Sequence, residues 1–406
     1  MLKAFFFILL LLAEKSWSED QYTEQIIMKA EQGDPASQTM LGLIYRSGLR
    51  GIEKDSARAL YWFKAASAQR SPLAQSNLGH MHKNGEGVPK DNKQAFHWYQ
   101  SAASLGSREG QEYLANMYET GSGTSQDYEQ AIKWYKKAAN NGFAPAMKSL
   151  GRMNLSGKGL PQDTRKAIEW FTLSIEESTN LQGNAREYST DDNDYAVLIG
   201  ISYHHGEGNP QNLVQAQKWY RLAAQHGDSG AQFSLGTMYY DGEGVIQDYK
   251  ESAKWRRLAA EQGLPEAQYS MGTMYYNGEG VIQDYKESAK WLRLAAEQGR
   301  SDAQYNLGYL YSSGKGVVQD LQEALKWFLS GAEQNEERSQ HSLGTMYHSG
   351  EGVIQDFKLA HMWYNIAAAN GVAESKVNRG IIEKKMSAEA INQAQDMARE
   401  WIKKHQ

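Results

Sequence analysis

The chain has 406 residues, long enough for two or three ordinary domains or for one extended repeat array. With 41% hydrophobic residues, 11 Trp, 24 Tyr and only 7 Pro, its composition excludes a disordered chain. A formal charge of -5 gives no long-range pull on phosphate backbones, which argues against nucleic acid, and the lack of cysteine excludes disulfides, thiolate metal sites and a Cys nucleophile.

The chain opens on a segment that reads as a secretory signal. Lys3 supplies a basic start, Ala4 to Ala13 form ten uninterrupted apolar residues, and small Ser16 and Ser18 flank Trp17. Ten apolar residues span half of the roughly 20 that a bilayer helix needs, so export with cleavage after Ser18 is expected over residues 1–18 and no membrane span thereafter. Glu19 to Gly33 then predicts an N-terminal capping helix within residues 19–35.

From there a single spacing organises the sequence. Trp62, Trp98, Trp134, Trp170, Trp219, Trp255, Trp291, Trp327 and Trp363 follow one another at 36 residues, except for 49 between Trp170 and Trp219. Nine units result, four over residues 36–175 and five over residues 195–371. Their first helix positions are Ala36, Ala74, Gly110, Ala146, Tyr195, Ala231, Ala267, Ala303 and Ser339.

The sixth unit shows the plan. Ala231, Leu235, Met238 and Tyr239 make the buried stripe of a first helix, A, in which Gly236 marks a tight crossing. Gly242-Glu243-Gly244 breaks it, and Val245 returns toward the core. Asp248 with Glu251 predicts a capping box for a second helix, B, whose Ser252, Trp255, Ala259 and Ala260 face inward and which Gly263 ends. Asp91/Gln94, Asp127/Gln130, Asn212/Gln215, Asp284/Glu287 and Asp320/Glu323 repeat the pairing. The extra 13 residues in the long step place a loop at 176–194, where Thr190 to Asp194 cluster oxygens without the glycine and distal glutamate of a calcium loop. Ser387 to Lys404 predicts a final amphipathic helix with Ile391, Ala394, Met397, Ala398 and Trp401 on one face, closing a C-terminal cap over residues 372–406.

The pattern A-x-x-x-L-G-x-M-Y-x-x-G-x-G-V-x-Q-D followed by W-x-x-x-A-A-x-x-G resembles the Sel-1-like repeat, a relative of the tetratricopeptide repeat, over nearly all of the chain. The resemblance implies an all-α, right-handed α/α superhelical solenoid of about nine two-helix repeats with capping helices at both ends. It also implies a binding role toward proteins. A disulfide-bridged subgroup of such proteins is linked to β-lactams, and this chain, without cysteine, departs from it.

Motifs for chemistry are scarce. The one S-x-x-K match, Ser312 to Lys315, spans the turn between two helices. His80 with His82 and His204 with His205 sit one or two residues apart, so their side chains diverge on a helix, and no metal, cofactor or catalytic residue is assigned. A sharper feature lies on helix A, whose third and tenth positions share one face. Late units place Phe233 and Tyr240, Tyr269 and Tyr276, Tyr305 and Ser312, and His341 and His348 there, with Tyr309 beside them. Early units hold Gln38 and Arg46, Ser76 and Lys83, and Glu112 and Glu119. The expected partner-binding residues are therefore Phe233, Tyr240, Tyr269, Tyr276, Tyr305, Tyr309, His341 and His348, although the same aromatics could equally be ordinary packing. The chain is thus expected to be a monomeric exported scaffold, periplasmic or secreted, that binds a protein or peptide on a concave wall. A cell-wall or β-lactam-binding enzyme and a structural envelope spacer are the alternatives.

Overall fold

The computed structural model describes residues 19–180 and 190–405, so the expected signal segment lies outside the described residues. The described residues form 21 helices and no strand. The chain divides into two compact units, Met1–Gln211 and Asn212–Gln406, and the division falls inside the fifth repeat, between its helices A and B.

The first unit begins with the helix Glu19–Glu31, whose Ile26 and Ala30 close the apolar face of the first repeat against Leu41 and Ile44. Repeats follow as pairs of mostly thirteen-residue helices: Pro35–Ser47 with Ser56–Ala68, Pro72–Asn84 with Asn92–Ser104, Arg108–Thr120 with Tyr128–Asn140, and Ala144–Ser156 with Thr164–Asn180. Helix Thr190–His205 completes this unit. In the second unit, Leu213–Gln225 is followed by four full pairs: Ser229–Asp241 with Tyr249–Glu261, Pro265–Asn277 with Tyr285–Glu297, Ser301–Ser313 with Leu321–Glu333, and Glu337–Ser349 with Phe357–Ala369. Ala373–Glu383 and Ala388–His405 end it, and Ala398, Met397 and Trp401 cover the core of the ninth repeat as the amphipathic pattern requires.

Local chemistry accounts for each pair. Helix A ends on a left-handed glycine such as Gly242 at φ +76°, a conformation that costs a residue with a Cβ more than it costs glycine. Helix B begins on Asp248, whose Oδ1 accepts from the backbone N–H of Lys250 and Glu251. Only that half of the expected capping box forms, because Glu251 turns to Lys254 Nζ at 2.7 Å; Glu287 and Glu323 likewise pair with Lys290 and Lys326.

Three sequence expectations need correction. In most repeats the core slot of helix B belongs to the residue after the Trp: Phe63, Tyr99, Tyr135, Phe171, Leu292, Phe328 and Tyr364 are buried, while most repeat Trp, Trp255 included, are half-buried. The reason is the helix A glycine, which admits that residue so closely that a Cβ on Gly272 would lie 2.6 Å from Leu292 Cγ. The first repeat is also one residue later than Ala36: Asp34 caps Ser37 as Asp228 caps Ala231, so its groove positions are Thr39 and Arg46 rather than Gln38. Finally, both described ends of the 176–194 interval are helical, since Thr164–Asn180 and Thr190–His205 continue into it. The acidic cluster there is the first turn of a helix, with Asp192 paired to Lys148.

A buried amide ladder accompanies this packing. Gln232, Gln268, Gln304 and Gln340 each donate to the carbonyl eight residues back, those of Ala224, Ala260, Ala296 and Ala332, at 3.1–3.4 Å. Each accepts in turn from the amide 30 residues on, Gln262, Gln298, Gln334 and Asn370, at 2.7–2.9 Å. Every such glutamine thus ties its own helix A to the preceding helix B and to the end of its own helix B, and its polar atoms are repaid in hydrogen bonds.

Candidate functional site

The eight expected binding residues all lie in the second unit, and the structure separates them into three clusters rather than one even row. All but one are half-buried; Tyr309, at 39% exposure, stands clear of the surface.

The first cluster forms around Arg256. This residue occupies the core slot of the sixth repeat, 8% exposed, with Nη1 donating to Ser270 Oγ at 2.5 Å and Nη2 to Thr237 Oγ1 at 3.4 Å. Its guanidinium lies 4.5 Å from the ring centre of Tyr240 and 5.7 Å from that of Phe233, so both expected binding aromatics serve as walls for a buried cation. Burial pulls the Arg256 pKa down. Tyr240 is held further by donating its hydroxyl to Glu279 Oε2 at 2.6 Å, which together with burial pushes its phenol up to about 12.

The second cluster is open. Thr273, Tyr276, Asn277, Leu292, Tyr305, Asn306 and Tyr309 line a groove of about 290 Å³ between the seventh and eighth repeats. Leu292 lines it from the slot that Arg256 takes one repeat earlier. At its rim Lys315 Nζ donates to Tyr276 OH at 3.1 Å and stands 5.4–5.5 Å from the rings of Tyr276, Tyr285 and Tyr309; the hydroxyl contact raises the pKa of its ammonium. Ser312 Oγ turns instead to the Tyr309 carbonyl at 3.0 Å, so the two ends of the S-x-x-K match serve different partners.

The third cluster, in the ninth repeat, holds His341 and His348 about Tyr364, at 5.6 and 6.2 Å between ring centres. His341 Nδ1 bonds Ser375 Oγ at 2.7 Å. Tyr269 adjoins the second cluster, packing on the same core as Tyr276 with its hydroxyl against Asn306, and Arg300 lies 5.1 Å from its ring centre.

Sequence reading missed how repeats are clasped together. The tenth helix A position of one repeat reaches the residue between the two turn glycines of the next: Arg46 to Glu86, Tyr240 to Glu279, and Tyr276 to Lys315. The early clasp is ionic, with Arg46 Nε 2.7 Å from Glu86 Oε2 and the Glu86 carboxyl drawn down to about 2. The late clasps are phenolic. A spacing of 39–40 residues between a turn residue and a helix A residue was the available signal, and it lies outside a reading made one unit at a time. His80, one of the paired histidines, is packed on Tyr99 and Tyr113, with Nδ1 3.1 Å from the Tyr99 hydroxyl.

Stacked helix pairs, each burying its face only against its neighbours, define an α/α repeat scaffold, a fold used to hold proteins. The Sel1 repeat model matches nine times, at residues 35–71, 72–107, 108–143, 144–178, 195–228, 229–264, 265–299, 301–336 and 338–372, and the chain belongs to the Sel1 repeat family. Among solved structures it is similar to a protective antigen of uropathogenic Escherichia coli, 30% identical over 94% of this chain and 95% of that one, with a TM-score of 0.51. A Sel1 repeat protein of Oxalobacter formigenes is 28% identical over 94% of this chain and 93% of that one, with a TM-score of 0.41. Among curated proteins, the ERAD-associated E3 ubiquitin-protein ligase component HRD3A of Arabidopsis thaliana is 34% identical over 74 residues, 18% of this chain and 11% of the relative. The matched segment thus spans about a tenth of that relative's length.

Proposed function

We propose that this chain is an exported scaffold, periplasmic or secreted, that holds a protein or peptide partner along the helix A face of repeats six to nine. The groove at Leu292 is the observation that carries the reading. Its apolar floor, tyrosine walls and two amide side chains offer a seat for one bulky apolar side chain, with Asn277 and Asn306 available to the partner's backbone. The N-terminal apolar run supports export. The relatives support a role toward other proteins: one is described as a protective antigen and another as an E3 ubiquitin-protein ligase component.

Tyr309 is the residue to change, because Tyr240 and His348 are committed to internal contacts and their loss would disturb folding. Peptides selected from a display library on the full chain should bind at least about tenfold more weakly to Tyr309→Ser, the effect of losing a hot-spot tyrosine, with the melting curve unmoved. Undiminished binding would place the site elsewhere. Export is tested on the same preparation, where mass spectrometry of the mature protein should find an N-terminus at or near Glu19; intact Met1 would count against it.

A further inference from the structure

The second unit carries a row of aliphatic side chains that its fold does not use. Ile246, Ile282, Val318 and Ile354 occupy the same slot of four successive turns and are 88–90% exposed. In the first unit that slot holds Glu53, Pro89, Ser125, Pro161 and Pro210, so the turn closes without an isoleucine or valine. Nothing in the packing of a repeat calls for isoleucine there.

The four are steps of one continuous edge. Each turn rests on the start of the preceding helix B so tightly that a Cβ on Gly280 would lie 1.9 Å from the Tyr249 carbonyl oxygen, and one on Gly316 2.2 Å from that of Tyr285. Gly352 sits likewise on Leu321, and its carbonyl accepts from Gln322 Nε2 at 2.6 Å. The turns are therefore stacked directly, and their aliphatic tips follow one another at the pitch of the repeat. Beside each tip stands an exposed or half-exposed carboxylate, Asp248, Asp284, Asp320 or Asp356, and beside three of them a lysine, Lys250, Lys286 or Lys358.

We propose that this edge is a self-association surface, on which a second copy of the chain lies antiparallel across a two-fold axis between Ile282 and Val318. Two features select a second copy. A row at fixed pitch needs apolar groups at the same pitch opposite it, and a two-fold supplies them by pairing Ile246 with Ile354 and Ile282 with Val318. Pairing Ile246 with Ile354 sets Asp248 and Lys250 against Asp356 and Lys358 in reverse order, so that carboxylate faces lysine, and pairing Ile282 with Val318 sets Lys286 against Asp320, whereas an anionic lipid surface would ask for a basic cluster. The area sets the strength. Four aliphatics of about 100 Å² each give about 800 Å² over two copies, and Tyr249 and Tyr285, which open the helices after the first two tips, raise this toward the lower limit of specific interfaces, about 1,200 Å². The dimer is therefore weak, with a dissociation constant of about 10 µM or above. This proposal departs from the monomer expected from the sequence and is independent of the groove at Leu292.

Sedimentation velocity on the full chain, from about 1 to about 500 µM, tests it over the range that a small interface implies. The weight-average coefficient should climb toward that of a dimer. The variant with Ile246, Ile282, Val318 and Ile354 all changed to Ser, the residue at this slot in the third repeat, should remain a monomer with the same melting curve. Because the chain has no cysteine, single Ile282→Cys and Val318→Cys variants, mixed and oxidised, report the pairing. They should cross-link to each other faster than either does to itself. A monomer throughout the range, or a dimer that survives the fourfold change, would overturn the proposal. So would row-dependent sedimentation with phosphatidylglycerol vesicles by a chain that stays monomeric, which assigns the edge to lipid.

Discussion

Arg256 stands where the neighbouring repeats place Tyr220, Leu292, Phe328 and Tyr364, and it is a cation in a core slot. Its Nε has no hydrogen-bond partner, and the salt bridges among the described residues do not include it. A buried charge held by hydroxyls and rings alone is commonly no better than a hydrophobic residue of similar size. Arg256→Leu, which copies the next repeat, should leave stability unchanged or raise it by about 1–4 kcal/mol in thermal denaturation. A clear loss would mean that the Ser270 bond and the Tyr240 stack outweigh desolvation. His80 tests the first unit. Burial, then Arg46 and Lys83, press its pKa down to about 4, against a partial pull from Glu86. A depressed imidazole is neutral in the fold, so its contribution is whole above about 6.5 and falls away as pH drops toward 4, by at most about 3 kcal/mol. Glu112, pushed up to about 7 chiefly by burial, works the other way, since the fold retains its proton from pH 7 downward. The informative quantity is thus a difference. The urea midpoint of His80→Asn should gain on that of the parent chain as pH falls from 6.5 to 4, and a constant gap would show that His80 does not titrate in this way.

At the scale of the element, the turn glycines fall into two kinds that look alike in the sequence. Gly263, at φ +92°, has open space where a Cβ would go; Gly280, at φ +69°, has the Tyr249 carbonyl oxygen 1.9 Å away. Alanine at the first pays only for the left-handed backbone, about 1 kcal/mol, whereas alanine at the second must also push two repeats apart. Gly280→Ala should cost about 3 kcal/mol or more by urea unfolding, and costs equal to those of Gly263→Ala would mean that the turns are not tightly stacked. The helices themselves were readable from the chain because each carries its own start, stripe and stop within thirteen residues. What the stripe did not reveal is which of two adjacent large residues, Trp291 or Leu292, enters the core. That choice is made by Gly272 on a different helix, and periodicity on one helix cannot report it.

At the scale of the molecule, the nine repeats and both capping helices were legible, because a period of 36 with tryptophan at each step leaves little freedom in the reading. The candidate binding face was legible only in part. Tyr276, Tyr305 and Tyr309 do meet around one groove, yet Phe233 and Tyr240 wall in Arg256, a contact between the two helices of one repeat that the stripe of helix A alone does not display. The glutamine ladder lies in the same blind spot, and it bears on heredity. Each glutamine reaches eight residues back and 30 forward, so a 36-residue module brings one donor for its predecessor and one acceptor for its own last amide. A copy of residues 229–264 spliced in after Leu264 would find every such amide answered at both of its new junctions. Copy number can therefore change by whole modules at no cost in buried polar groups. Residues 235–263 and 271–299, which differ at three positions, look like one such doubling still close to its origin.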